Sequence, residues 1–244
     1  MGNTLPAMDR ATFEHELETQ LSSLATHPQN RIRINGQSRE ALWIHYRELL
    51  RWNPRLSLIG PGSAAEIMTR HYGESLAALP HLPDSALVLD AGSGGGFPGF
   101  VLAAARPGLD VTLMEPKQRK WSFLNTVIRK VKSAGIALSC RALDARVDSP
   151  LPVVPALPEN IDIVTSRALA LGPERLAALV QKYPGVRFLL WASDPEGTAL
   201  QAIDSRSVPS AYRVAGRIHL QGSRHRFIVD LKTRSEHEGK QDGP

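Results

Sequence analysis

The sequence predicts an α/β chain: a parallel sheet with crossover helices, preceded by a helical extension and closed by an antiparallel hairpin. Three observations predict it. Before residue 80, apolar residues recur at helical spacing. From residue 84, short apolar runs alternate with longer helical stretches. Late in the chain, two β-rich runs flank a tight turn. Strands alternating with helices bury both faces of a sheet through right-handed crossovers, so the first five strands should run parallel.

In the extension, Phe13, Leu17, Leu21 and Leu24 fall on one helical face. Ser38 is a candidate cap for a second helix burying Leu42, Tyr46 and Leu49, with Trp52-Asn53-Pro54 expected to end it. Ser63 and Glu66 have the spacing of a capping box that opens a third helix. Pro80 and Pro83 then punctuate the chain. Strands are expected at Ala86–Leu89, Val111–Met114, Ile136–Cys140, Ile161–Thr165 and Val186–Trp191. Helices are expected at Phe97–Arg106, where Pro107-Gly108 stops the run, and at Lys117–Ser133, where Gly135 does. Tyr212–Leu220 and Arg226–Leu231, around Gln221-Gly222-Ser223-Arg224, read as a hairpin. The expected organisation is a helical extension over residues 1–80, a sheet domain over 81–233 and a tail over 234–244. The tail is charged and glycine-bearing, and disorder is expected there. Residues 149–158 carry Pro150, Pro152, Pro155 and Pro158 and read as a loop.

Composition narrows the function. Charged residues make up 22% and the longest apolar runs fall well short of the roughly 20 residues of a membrane span, so no membrane partner is expected. Asp9, Arg10, Glu14 and Glu16 interrupt any signal-type apolar core near the start, which makes the cytoplasm the expected compartment. Cys140 is the single cysteine, which excludes an intramolecular disulfide and a cysteine-cluster metal site. The eight histidines show no metal-binding pairing, so no metal is expected. A net charge of +5 leans toward anionic partners such as nucleic acid.

The most informative stretch is Asp90-Ala91-Gly92-Ser93-Gly94-Gly95-Gly96-Phe97-Pro98-Gly99, between a strand and a helix. Glycines there let backbone turn sharply and approach a ligand. The dinucleotide form GxGxxG fails, because its third glycine position is Phe97. Asp90, Gly92, Gly94 and Gly96 instead fit DxGxGxG, the pattern of S-adenosylmethionine loops. Glu115 ends the next strand about 20 residues on, where an acid can hold ribose hydroxyls. Loop and acid together indicate the Rossmann-like fold of class I S-adenosylmethionine-dependent methyltransferases.

Several segments resemble one family, the bacterial small-subunit ribosomal RNA methyltransferase G family, also called glucose-inhibited division protein B. Arg51-Trp52-Asn53 with Leu56 is similar to its W-N-x-x-x-N-L segment, and Arg70-His71 with Glu74-Ser75-Leu76 to its R-H-x-x-D-S-L. Gly92-Ser93-Gly94 through Phe97-Pro98-Gly99 resembles its G-S-G-x-G-x-P-G loop. Arg119-Lys120 with Phe123-Leu124, Arg141-Ala142 and Ser166-Arg167-Ala168 resemble further segments. The chain departs from the pattern at Ser57, Glu115-Pro116, Leu143 and Leu190-Trp191-Ala192-Ser193. The resemblance implies methylation of N7 of a guanine in 16S ribosomal RNA, with S-adenosylmethionine as cofactor and the RNA or the small ribosomal subunit as partner. It implies cofactor contacts at Asp90, Gly92, Gly94, Gly96, Phe97, Glu115, Ala142, Leu143 and Arg167, and RNA contacts at Asn53, His71, Arg119, Lys120 and Arg167.

Guanine N7 has a free lone pair, so its methylation needs alignment more than acid–base work, and no catalytic base is expected. Arg167 follows the fourth strand, at the ligand-facing sheet edge, where it could meet cofactor carboxylate, RNA phosphate or guanine. The helix Lys117–Ser133 carries Lys117, Arg119, Lys120, Arg129, Lys130 and Lys132 around an apolar stripe of Trp121, Leu124, Ile128 and Val131. Arg119 and Lys120 lie nearest the cofactor end, whereas the later cations fit a solvated face equally well. Three functions stay open on residues alone: an RNA guanine-N7 methyltransferase, a methyltransferase for another substrate, and a ribosome-binding paralogue without turnover.

Overall fold

A computed structural model describes residues 5–24, 32–148, 156–167, 171–193 and 211–234. The expected tail beyond Arg234 and most of the 149–158 loop lie outside the described residues.

Helix α1 (Arg10–Ser23) starts at Asp9, whose carboxylate accepts the Thr12 amide, and buries Phe13, Leu17 and Leu21. Helix α2 (Gly36–Leu56) is capped by Asn35, not Ser38: the Asn35 side chain accepts the Ser38 amide. Nor does α2 stop at Trp52-Asn53-Pro54. Pro54 lies exposed in the last turn, where it removes one donor, and the turn is held from beyond it. The Ser57 amide reaches the Asn53 carbonyl at 2.9 Å, and Ser57 ends the helix at φ 47°. The expected capping box is present at α3 (Ala64–Ile67): Ser63 Oγ accepts the Glu66 amide and Glu66 Oε2 accepts the Ser63 amide. From α3 the chain passes through a π-helical turn (Met68–Gly73) into α4 (Glu74–Leu76).

The sheet follows: β1 (Ala86–Ala91), α5 (Gly99–Ala105), β2 (Leu109–Met114), α6 (Gln118–Ser133), β3 (Cys140–Leu143), β4 (Ile163–Arg167), α7 (Pro173–Lys182), β5 (Arg187–Ser193), β6 (Tyr212–His219) and β7 (Arg226–Thr233). The strand order is β3-β2-β1-β4-β5-β7-β6, with β1 to β5 parallel and β7 antiparallel between β5 and β6. Alternate residues enter opposite cores. Val88, Ile163, Leu189 and Ile228 join a cluster with α1, α2, α5 and α6, while Leu89, Val164, Phe188 and Val229 join one with α7.

Two boundaries differ from expectation in ways that matter later. The fourth strand is Ile163–Arg167 rather than Ile161–Thr165, so Arg167 is the last strand residue. The third is Cys140–Leu143 rather than Ile136–Cys140. Ile136 and Leu138 are buried beside α6, yet the ladder to β2 begins only at Cys140 opposite Val111. Packing against a helix made a loop look like a strand. Cys140 is buried, and burial pushes its thiol pKa upward.

On α6, Phe123, Leu124, Val127, Ile128 and Val131 are buried. Lys130, which the sequence left on a solvated face, instead pairs with the buried Glu48 of α2. The indole N–H of Trp121 donates to the Ala142 carbonyl at 3.2 Å, tying α6 to the edge strand.

Candidate active site

An open parallel sheet binds ligands beyond the carboxyl ends of its strands, where the strand order reverses. Here that place is between β1 and β4. A cavity of about 530 Å³ lies there, lined by the glycine loop after β1, Met114 and Glu115 at the end of β2, Ala145–Val147 after β3, and Arg167 at the end of β4.

The loop is fastened on three sides. The Gly92 and Ser93 amides donate to the Met114 carbonyl at 2.9 and 3.1 Å. Gly92, Gly94 and Gly96 have φ of +77°, +53° and +86°, a region that costs other L-residues roughly 1–2 kcal/mol. Gly99 serves a different need. A Cβ there would lie 2.5 Å from Asp90 Cβ and 2.6 Å from Leu113 Cδ2, so glycine lets α5 press onto β1 and β2. The second fastening comes from α2. His45, wholly buried, lies 2.8 Å from the Gly95 carbonyl through Nε2 and 2.8 Å from the Tyr72 hydroxyl through Nδ1. A carbonyl only accepts, so Nε2 carries the proton and Nδ1 accepts from Tyr72. Burial pushes the His45 pKa down to about 4, which keeps the ring neutral.

Glu115 spans the cavity's other wall. Its Oε2 accepts the Gly94 amide at 2.9 Å and its Oε1 the Lys117 amide at 2.8 Å. Each carboxylate oxygen has a second lone pair, so the side chain can still receive a pair of hydroxyls. Arg167 lines the cavity from β4. One guanidinium nitrogen faces Glu74 of α4 at 3.4 Å, while Nη1 is buried with no hydrogen-bond partner among the described residues. Glu74 also pairs with Arg226 of β7 at 3.1 Å. Burial pushes the Glu74 carboxyl pKa up, against the pull of Arg167 and Arg226. His71 packs its ring 5.0 Å from Phe97 on the same wall. Burial and then the nearby Arg167 push its pKa down to about 3.

Of the residues expected at a cofactor, Gly92, Gly94, Phe97, Glu115 and Arg167 line this cavity. Asp90 lies beneath it, 1% exposed, accepting from the Thr165 hydroxyl at 2.7 Å. Burial pushes its pKa up to about 6. Gly96 faces His45 and Phe100 rather than the cavity. Ala142 and Leu143, expected from the resemblance, are not in the wall: both lie within β3, and Ala145, Arg146 and Val147 just beyond its end line the cavity instead.

Of the residues expected at RNA, His71, Lys120 and Arg167 line the cavity. Asn53 is fully buried, and its Oδ1 accepts the Ile59 amide at 2.9 Å, which places it inside the scaffold. Arg119 opens onto a separate cavity with Trp52. The sequence reading missed His45, Glu74, Arg146 and Arg175. Only the Arg70–Leu76 segment hinted at Glu74.

The model of the family described as rRNA small subunit methyltransferase G (GidB) matches residues 38–192, well over half the chain. The chain belongs to that family. A protein named ribosomal RNA small subunit methyltransferase G from Myxococcus xanthus is 30% identical over 231 residues, covering 92% of this chain and 100% of the relative. One of the same name from Desulfotalea psychrophila is 36% identical over 140 residues, covering 57% of this chain and 62% of its own. Another, from Acidiphilium cryptum, is 42% identical over 128 residues, covering 51% and 54%. Against these last two, the chain thus spans less than two thirds of the relative's length. Among solved structures, a point mutant of MtNAS in complex with S-adenosylmethionine is similar at a TM-score of 0.52 and 16% identity, covering 93% of this chain and 76% of that one. A fibrillarin/Nop5p complex is similar at 0.50 and 14% identity, covering 67% and 82%. These likenesses show the Rossmann-like α/β fold. In this family member the loop, Glu115 and Arg167 stand at the carboxyl ends of the parallel strands. Among the described residues no helix is long and apolar enough to cross a membrane, and no cluster of metal-ligating side chains occurs.

Proposed function

We propose that this chain methylates N7 of a guanine in 16S ribosomal RNA, using S-adenosylmethionine, on the naked RNA or on the small subunit in the cytoplasm. The observation that carries the reading is the meeting of three features in one cavity: a positive-φ glycine loop, an acid at the end of β2, and a buried guanidinium nitrogen with no hydrogen-bond partner among the described residues. Family membership supports the RNA substrate.

The residues fit the cofactor. The cavity falls in the range of ligand pockets, about 300–1,000 Å³. Glu115 can receive the ribose hydroxyls, and Arg167 Nη1 can donate to a carboxylate or a phosphate. When bound, S-adenosylmethionine supplies a sulfonium-activated methyl group, so the hard chemistry belongs to the cofactor. The chain's work is alignment. Leu58, Ile59 and Phe97 give the cavity an apolar wall, His71 stays neutral against Phe97, and Lys120, Arg146 and Arg167 set a positive potential for RNA. Guanine N7 attacks through its own lone pair and loses no proton beforehand, so the step asks the wall for alignment rather than for a base.

Transfer of a labelled methyl group to small subunits from a strain lacking the protein tests this. Wild type should label 16S RNA. Arg167→Ala should lose roughly 10- to 100-fold in kcat/KM, the scale of a charged hydrogen bond worth about 1.5–3 kcal/mol. Arg167→Lys should rescue poorly, because lysine lacks the planar fork. Absence of any label with wild type would overturn the reading.

A further inference from the structure

A second cavity, about 420 Å³, opens between the end of α2 and the start of α6. Arg51, Trp52, Arg55 and Leu56 form one wall, Arg119 and Ser122 the other. The first four fall at helical positions i, i+1, i+4 and i+5, and the last two at i and i+3, so each helix turns one face to the cavity. That wall holds three guanidinium groups, a hydroxyl and an indole, and no carboxylate.

Arg10, Arg39, Arg167, Arg187 and Arg226 each face a carboxylate. Among the described residues Arg51, Arg55 and Arg119 face none. Three like charges around one hollow raise a positive potential that an anion would neutralise. Trp52 is held as a platform: its indole N–H donates to Glu48 Oε2 at 3.1 Å and its ring meets Phe123 edge-on at 6.2 Å, while it stays half-buried. An aromatic face beside arginines is the usual means of holding a single-stranded nucleotide, by stacking its base and pairing its phosphate.

The two cavities are lined by neighbouring residues of the same two segments. Lys117 and Lys120 line the first cavity, and Arg119 and Ser122, from the same start of α6, line the second. Leu56 lines the second, and Leu58 and Ile59, just past the end of α2, line the first. We propose that the α2–α6 cavity is an RNA subsite: it takes a nucleotide flanking the methylated one, its base on Trp52 and its phosphodiester among Arg51, Arg55 and Arg119. This rests on the RNA reading above, and it splits Arg119 and Lys120 between two neighbouring nucleotides.

The probes are small subunits lacking the methyl group and the same 16S RNA stripped of protein. Arg55→Glu combined with Arg119→Glu should weaken binding to both at least tenfold, with a salt dependence shallower by about one unit, since each phosphate contact contributes roughly 0.7–0.9 to the slope. Both arginines are exposed, so the variant should stay folded, and calorimetry should find cofactor affinity within twofold of wild type. Trp52→Leu should weaken binding severalfold and leave the salt slope alone. Ultraviolet cross-linking should put a nucleotide adduct on the Trp52–Arg55 peptide. Wild-type binding and salt slope in the charge-reversed variant would overturn the subsite while leaving the methyltransferase reading intact. Weakening on subunits alone would also overturn it, by assigning the cavity to a ribosomal protein. A wild type that neither binds nor labels RNA would bring down the RNA reading itself.

Discussion

Gly94 and Gly96 share a left-handed backbone but not a neighbourhood. A Cβ on Gly96 would stand 3.0 Å from His45 Nε2 and 3.0 Å from Phe100 Cβ, whereas one on Gly94 meets nothing nearer than the Gly92 carbonyl at 3.8 Å. Gly94→Ala should therefore cost about the 1–2 kcal/mol of a left-handed L-residue, and its main effect should be weaker cofactor binding. Gly96→Ala should cost more, because it also displaces His45 from the loop. Denaturant melts paired with calorimetric titration check both; equal stability for the two variants would contradict this geometry. Glu74→Gln is the second informative change. It leaves Arg167 and Arg226 facing each other across an amide and should lose about 3 kcal/mol, as when one partner of a buried ion pair is removed. Methyl transfer should fall further than the folded fraction does, because Arg167 loses its anchor. The glycine loop and Glu115 were legible in the sequence because they lie within one strand–loop–helix–strand run. His45 and Glu74 were not, because they come from distant helices and act through single contacts with no local pattern. Asn53 misled for the opposite reason: it stands in a segment resembling a functional motif, but its side chain caps the Ile59 amide.

At the scale of elements, α2 and the glycine loop form one unit through the chain Tyr72–His45–Gly95. Charging His45 would place a second proton on Nδ1, against the Tyr72 hydroxyl that now donates to it. The folded pKa of about 4 lies below the unfolded value of 6.5, so this stabilisation is complete above pH 6.5 and is lost as pH falls toward 4. His71, pushed down to about 3, acts in the same direction. Asp90, pushed up from 3.8 to about 6, acts the other way: its contribution is full below pH 3.8 and is lost as pH rises through 6. The two histidines together outweigh it. Stability should therefore fall by a few kcal/mol between pH 6.5 and 4, at 1.36 kcal/mol per pKa unit. His45→Gln, which cannot charge, should flatten that dependence in denaturant melts at several pH values; an unchanged slope would remove His45 as its source. Element boundaries were legible where a helix lies between turn signals, as for α6. They were not at β3, where Ile136 and Leu138 are apolar for α6 rather than for the sheet.

At the scale of the whole molecule, the reversal of strand order between β1 and β4 decides where the cavity forms, and the antiparallel end of the sheet braces it. Arg187 of β5 grips Asp230 of β7 through two nitrogens, at 2.8 and 2.9 Å. The Trp191 indole N–H donates to the Glu74 carbonyl at 2.9 Å, joining β5 to the helix that holds Arg167. The alternation of strands and helices, and the final hairpin, could be read from the sequence. The insertion of β7 between β5 and β6 could not, because either hairpin strand is apolar enough to pair with β5. The opposite edge of the sheet carries the chain's single thiol, and this has a practical consequence. Cys140 is sealed at the start of β3, so a thiol reagent reaches it only when that strand peels away from Val111. Its labelling half-time is thus a built-in stopwatch for fraying, readable in the unmodified protein without any introduced probe. Labelling of the native protein should be far slower than that of the denatured chain, and ligand filling the cavity at the strand tips should slow it further if peeling and binding exclude each other. A native rate equal to the denatured one would show that the edge stands open in solution.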